Sequence, residues 1–184
     1  TYQPADPELS KKLLAEAGQS DLAFTYTCMN DESINEEDIC SGIANMLKRG
    51  GFNPTIDIAP RAVQTPKRSA GKADMFNLSW ANEPTLDAYS LLAQVLSTKQ
   101  GAMGVSNYGN WSNPELDKLV AAAAQEPDNA KRIAIEGQAL KIAKDEVMLI
   151  PLHQQPIAWA MLGDVKSVDF RADNKPRHWL TQMG

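Results

Sequence analysis

Side chains able to do chemistry gather in one stretch, "FNLSWANEPTLDAYSLL", Phe76 to Leu92. An indole, Trp80, is followed by an amide, Asn82, and by two carboxylates, Glu83 and Asp87, four residues apart. Paired carboxylates can work as general acid and base, so a hydrolase using Glu83 and Asp87 is one reading. A polar loop that starts a helix, with Asp87 holding the first turn of "AYSLLAQVL", explains them with less assumption. Trp80 is an ordinary core residue if it merely ends a strand. With Asn82 and Glu83 beside it, it becomes the aromatic wall of a small-molecule pocket. A Gly-rich segment, "KQGAMGVSNYGNW", adds Asn107, Tyr108 and Trp111, and the two loops together can line one cleft. His153 follows Leu152 at an expected strand end, where a lone histidine also suits a structural role.

Other catalytic constellations are thin. Gly71-Lys72 lacks the remainder of a phosphate-cradling loop, and no G-x-S-x-G elbow occurs. His153 and His178 lie far from metal-ligand spacing, so neither a metal nor a cofactor is expected. Cys28 and Cys40 have no activating neighbour and no metal pattern, which leaves a disulfide or two half-buried thiols. A net charge of -5 without a basic stripe disfavours nucleic acid and anionic membrane surfaces. The densest basic run, "KRSAGK" from Lys67 to Lys72, is expected to be a solvated loop. No apolar run approaches the ~20 residues of a spanning helix, and no signal peptide is visible in this segment.

The elements that position these residues follow from periodicity. Asp6 and Pro7 open a helix with an apolar face of Leu9, Leu13, Leu14 and Ala17, and Gly18 stops it. "LAFTYTC" alternates as a strand does. "NEEDICSGIANMLKRGG" predicts a helix capped by Asn35, acidic at its start and basic at its end, with Ile39, Ile43, Met46 and Leu47 buried. "PTIDIAP" predicts the next strand, so strand, helix and strand form a parallel βαβ unit. After a basic connector broken by Pro66, "DMFNLSW" predicts a third strand ending at Trp80. Helices are expected over "TLDAYSLLAQVL", over "SNPELDKLVAAAAQE" with Asn113 as cap, and from near Asp128. "VMLIPLHQQ" and "PIAWAML" read as apolar strands split by Pro156. In such an α/β sheet, ligands bind in the crevice beyond the carboxyl ends of the strands, where the Trp80 cluster lies.

The order of motifs adds a resemblance. "DPELSKKLLAEAG", "ICSGIANMLKRGGFNPTI", "ADMFNLSWANEPTLDAYSLL", "NYGNWSNPELDKLV" and "AKDEVMLIPLHQQPIAWA" resemble, in order and spacing, the second lobe of extracytoplasmic solute-binding proteins of family 5, which serve peptide-type ABC importers. The resemblance implies an α/β, periplasmic-binding-protein-like type II lobe with a mixed, mostly parallel sheet flanked by helices. It implies residues 1–164 as the ligand-binding lobe and 165–184 as a segment returning to a first lobe missing here. It further implies a periplasmic or lipid-anchored receptor, without catalysis or cofactor, that takes a peptide or other small solute and delivers it to an ABC permease. Trp80, Asn82 and Glu83 would form one wall, Asn107 and Tyr108 another, with His153 near hinge strands. The aspartate that family members usually carry after this tryptophan is absent. Glu83 or Asn82 stands in its neighbourhood, and an amide there would weaken recognition of a cation. Asp87 matches a second acidic position and is carried over mainly as a helix cap. A subgroup with cysteines at both positions supports a Cys28–Cys40 disulfide. A chaperone or sensor-partner lobe of the same fold is a weaker alternative.

Overall fold

Local chemistry sets the first helix, α1 (Pro7–Glu16): Asp6 accepts a hydrogen bond from the Leu9 amide at 2.9 Å, and proline at the first position needs no donor. The computed structural model describes residues 4–82, 86–156, 158–171 and 175–184, and it divides into two units, Thr1–Trp80 and Ala81–Gly184.

In the first unit a central strand, β1 (Leu22–Met29), pairs in parallel with β2 (Phe52–Ala59) and with β3 (Met75–Phe76), giving the order β2-β1-β3. The β1–β2 ladder runs unbroken from Leu22 opposite Phe52 to Met29 opposite Ala59. The connection between them is α2 (Glu36–Arg49), acidic in its first turn and basic in its last, which suits the helix dipole. Tyr26, Cys28, Cys40 and Ala44 form a buried cluster, with Phe24, Ile43, Ile56 and Met75 packed around it. Cys28 and Cys40 are joined, with S–S 2.11 Å and Cα–Cα 6.6 Å, so the bond runs from strand to helix inside this cluster.

Several expectations need correction here. The buried line of α2 is Glu36, Cys40 and Ala44, while Met46 is exposed. Small residues at 40 and 44 let the helix approach the sheet closely, and the larger Ile39, Ile43 and Leu47 flank that contact half-buried. Asn35 occupies the cap position but has φ 58, and its side chain makes no capping bond. The basic connector is a helix, α3 (Arg61–Ser69), whose first amide is held by the Asp31 carboxylate at 2.7 Å. Within it Arg68 is only 3% exposed, so the run is no solvated loop. The third strand pairs over Met75–Phe76 only, and residues 77–80 continue as irregular chain. No residue of α1 is buried. Its apolar face instead borders an open groove of about 500 Å³, where Leu9, Leu13 and Leu14 meet Leu22 and Phe52.

The longest elements of the second unit are helices. α4 (Tyr89–Leu91) widens at once into a π-helical turn (Leu92–Leu96), later than the sequence suggests. Leu92, Ala93, Val95 and Leu96 are all buried there. α5 (Pro114–Gln125) starts as predicted, with Asn113 accepting from the Glu115 and Leu116 amides. α6 (Asn129–Asp145) starts with Asp128 accepting from Lys131. The two helices pack against each other, and Leu116, Val120 and Ala123 of the first and Ala139 and Ala143 of the second are buried. The two strands expected over "VMLIPLHQQ" and "PIAWAML" do not form: the described residues from Met148 to Leu162 are irregular, with Ile150, Leu152, Trp159, Met161 and Leu162 exposed. Apolar character marks residues that seek burial, but a strand also needs a partner for its amides. Beyond them, β4 (Val165–Ser167) pairs antiparallel with β5 (Gln182–Met183). Among the described residues no helix is long and apolar enough to cross a membrane.

Candidate ligand-binding site

Parallel strands all end on one edge of the first unit, and there the loops carry most of its unusual polar groups. Trp80 is half-buried at the end of this unit, four residues past β3. The chain leading to it is pinned at two points. Arg68 Nη1 donates to the Asn77 carbonyl oxygen at 2.7 Å, and the hydroxyls of Ser33 and Ser79 lie 2.7 Å apart. Asn77 is itself held from below, since Tyr26 Oη donates to its Oδ1 at 2.5 Å and its Nδ2 lies 3.3 Å from Cys40 Sγ. Burial pushes the Tyr26 phenol up to about 12, against the opposing effect of the Asn77 hydrogen bond.

A charged cluster lies behind this edge. Arg68 Nη1 is 3.9 Å from Glu32 Oε2, and Arg61 Nη1 is 3.9 Å from Glu32 Oε1. The Arg68 guanidinium also stands 5.7 Å over the Phe76 ring and reaches Met29 Sδ at 3.8 Å. Glu36 accepts from the Met29 amide at 3.1 Å. Burial raises the Glu32 carboxyl above its ordinary value, Arg68 opposes that shift, and the Glu36 charge adds to it. Composition gave no warning of Glu32, Ser33, Arg68 or Asn77. Only the placement of α3 against the edge reveals them.

In the second unit the candidate residues have different partners. Among the described residues, the Asn82 amide oxygen is buried and without a hydrogen-bond partner, which is uncommon for a polar group. Glu83 lies outside the described residues. Asp87 Oδ1 accepts from the Tyr89 amide, and its Oδ2 accepts from Arg132 Nε at 3.3 Å. Arg132 also faces the buried Glu136 at 3.8 Å, and Glu136 accepts from the Ala88 amide. Burial, then the Asp87 charge, raise the Glu136 carboxyl; the Ala88 amide and Arg132 oppose them. Asp87 is thus built into the start of α4, beside an open hollow of about 440 Å³ lined also by Tyr89, Glu126 and Arg132.

Asn107 is 1% exposed, and its amide is used by its own loop: Nδ2 donates to the Ser97 and Trp111 carbonyls, and Oδ1 accepts from the Trp111 amide. The neighbouring Tyr108 is half-buried. Gly104 supports the same fold-back, at φ +64, because an added Cβ would sit 2.4 Å from the Ser97 oxygen. His153 lies exposed on the irregular segment, its Nε2 3.4 Å from Gln155 Oε1. Among the described residues no cluster of His, Cys, Asp or Glu could hold a metal ion.

Comparison with known proteins agrees with this architecture. Di/tripeptide-binding protein 4 of Pseudomonas aeruginosa is 27% identical over 152 residues, which is 81% of this chain and 28% of that protein. Periplasmic murein peptide-binding protein MppA of Escherichia coli is 27% identical over 150 residues, 79% of this chain and 26% of that protein. The chain therefore spans about a quarter of these curated relatives. The substrate-binding domain of an oligopeptide ABC transporter from Bacillus anthracis superposes with a TM-score of 0.76 at 17% identity, covering 96% of this chain and 34% of that one. At that identity the likeness shows the fold, the α/β lobe of type II periplasmic binding proteins. Residues 1–103, over half of the chain, match the family described as "Bacterial extracellular solute-binding proteins, family 5 Middle". On that match the chain belongs to the family 5 bacterial extracellular solute-binding proteins.

Proposed function

We propose that this chain is one lobe of a two-lobed extracytoplasmic receptor that captures a peptide or a comparable small solute and delivers it to an ABC permease. The observation that carries the reading is Trp80: a half-buried indole beyond the carboxyl end of a parallel strand, reached by a turn tied down on both sides. Such a surface offers an aromatic wall and nearby polar groups, without a nucleophile–base pair. The relatives' names, a di/tripeptide-binding and a murein peptide-binding protein, favour a peptide. Trp80, Asn82, Glu83 and Tyr108 are the proposed ligand contacts. The buried, unsatisfied Asn82 oxygen suits a ligand donor. Asn107 and Asp87 act through the loops they hold.

A second lobe supplies the remaining enclosure in this reading. The exposed apolar stretch with Ile150, Leu152, Trp159, Met161 and Leu162, where His153 also lies, supports it, because such a segment gains by pairing with further polypeptide. We read residues 1–164 as the lobe and 165–184 as the segment returning towards its partner. No chemistry is performed: capture follows from closure about a hinge. A periplasmic or lipid-anchored location goes with this role.

Calorimetry with defined di-, tri- and tetrapeptides tests it. A full-length receptor should bind at least one class, and Trp80→Ala in it should weaken binding at least tenfold. The 184-residue chain alone should bind poorly. Micromolar affinity for the chain alone counts against two-lobed capture. Turnover of any peptide, abolished by Glu83→Gln, would revive the hydrolase reading.

A further inference from the structure

We infer that Glu32 and Arg68 are positioning residues for Trp80, forming a buried ionic latch that ties the β1–α2 loop to the turn carrying the indole. The inference rests on the proposed role of Trp80 in ligand contact. Arg68 is anchored in α3 yet bonds the Asn77 carbonyl, three residues before the indole. Its Nη1 also stands 3.9 Å from Glu32 Oε2, in the loop that follows β1. The hydroxyl pair Ser33–Ser79 joins the same two loops, one residue further along the first and two along the second. Two adjacent crosslinks between two short loops fix their separation, and with it the direction in which Trp80 leaves the sheet.

The ionic crosslink depends on a carboxylate that is poorly satisfied. Glu32 Oε2 is buried without a hydrogen-bond partner among the described residues, and its two cations stand at 3.9 Å. The charged groups facing it are Arg68 and Arg61 from α3, Glu36 from α2, and Asp31 from its own loop. Burial and the two acidic neighbours favour the neutral acid. Acidification therefore removes the charge of Glu32 at a pH above the ordinary glutamate value, and the ionic tie between the two loops weakens.

A ligand-free measurement separates this inference from the receptor reading. Replacing Trp111, Trp159 and Trp179 by phenylalanine leaves Trp80 as the sole tryptophan, excited selectively over the four tyrosines. Its emission and iodide quenching are then followed from neutral pH down to about 4. Expected is a single transition centred above the usual glutamate value, with quenching about twofold higher in the acid form. Glu32→Gln should abolish the transition and show the acid-form signal throughout. Arg68→Lys, which keeps the charge but loses the planar fork, should retain the transition and raise quenching at neutral pH. Circular dichroism confirms that each variant is folded. A flat profile in the parent, or an unchanged transition in Glu32→Gln, overturns the latch. A working latch in a full-length receptor that binds no peptide would instead sink the ligand assignment.

Discussion

Asn107 and Trp111 are joined by two hydrogen bonds, Nδ2 to the tryptophan carbonyl at 2.8 Å and the tryptophan amide to Oδ1 at 3.0 Å. A third bond runs from Nδ2 to the Ser97 carbonyl at 2.9 Å, so one buried amide closes the loop onto the end of the π-helical turn. Asn107→Ala leaves buried groups unpaired and should lower stability by about 2–3 kcal/mol in urea denaturation. Tyr108→Phe should weaken ligand affinity in a full-length receptor, read by calorimetry.

The Cys28–Cys40 crosslink predicts a mass gain of about 2 Da on reduction. It closes a short loop, with a sequence separation of 12. Replacing both cysteines by alanine should therefore reduce stability by about 2–4 kcal/mol, including the packing lost from the buried cluster. A mass unchanged by reductant would refute the crosslink.

Arg132 serves two carboxylates, Asp87 and the buried Glu136. Arg132→Met should destabilise the second unit by about 2–3 kcal/mol, since it strands buried negative charge. Adding Glu136→Gln should recover part of that loss, because the glutamine oxygen still accepts from the Ala88 amide. Simple additivity of the two losses would show that the groups do not interact.

Tyr26 gives a pH dependence with a definite sign. Its phenol is raised from 10.0 to about 12, so between those values the folded chain keeps a proton that the unfolded chain has lost. Stability attributable to this group is complete below pH 10 and declines as pH rises, by at most about 1.4 kcal/mol per unit. Near-UV titration should show one of the four tyrosines ionising last or only with unfolding. Tyr26→Phe should remove that late step.

What could be read from the amino acids was local. The caps at Asp6 and Asn113 were legible because each acts on amides two or three residues away, and a helix start near Asp128 was legible with them. The β1–β2 pairing was legible because the intervening helix is bounded clearly at both ends. Arg68 was not: beside Lys67 and Lys72 it looks like part of a solvated run, and its burial depends on Glu32 and Asn77, brought in from distant loops. The residues around Pro156 looked like strands because they are apolar, yet hydrogen-bonded pairing is a property of two segments and no single one reports it. The commitment of Asn107 to its own loop was equally invisible, since an asparagine in a Gly-rich stretch reads the same whether it points at a ligand or at its neighbours.

The unequal lengths of the parallel ladders carry a kinetic consequence. β1 meets β2 over eight residue pairs across one compact helix, whereas β3 contributes only two. Assembly of the first unit should begin with the long ladder and its helix, where contacts are most local and most numerous. The turn bearing the indole can then settle only once that platform exists, so the edge that carries Trp80 is the last part of the unit to mature and the first to be lost when it unravels.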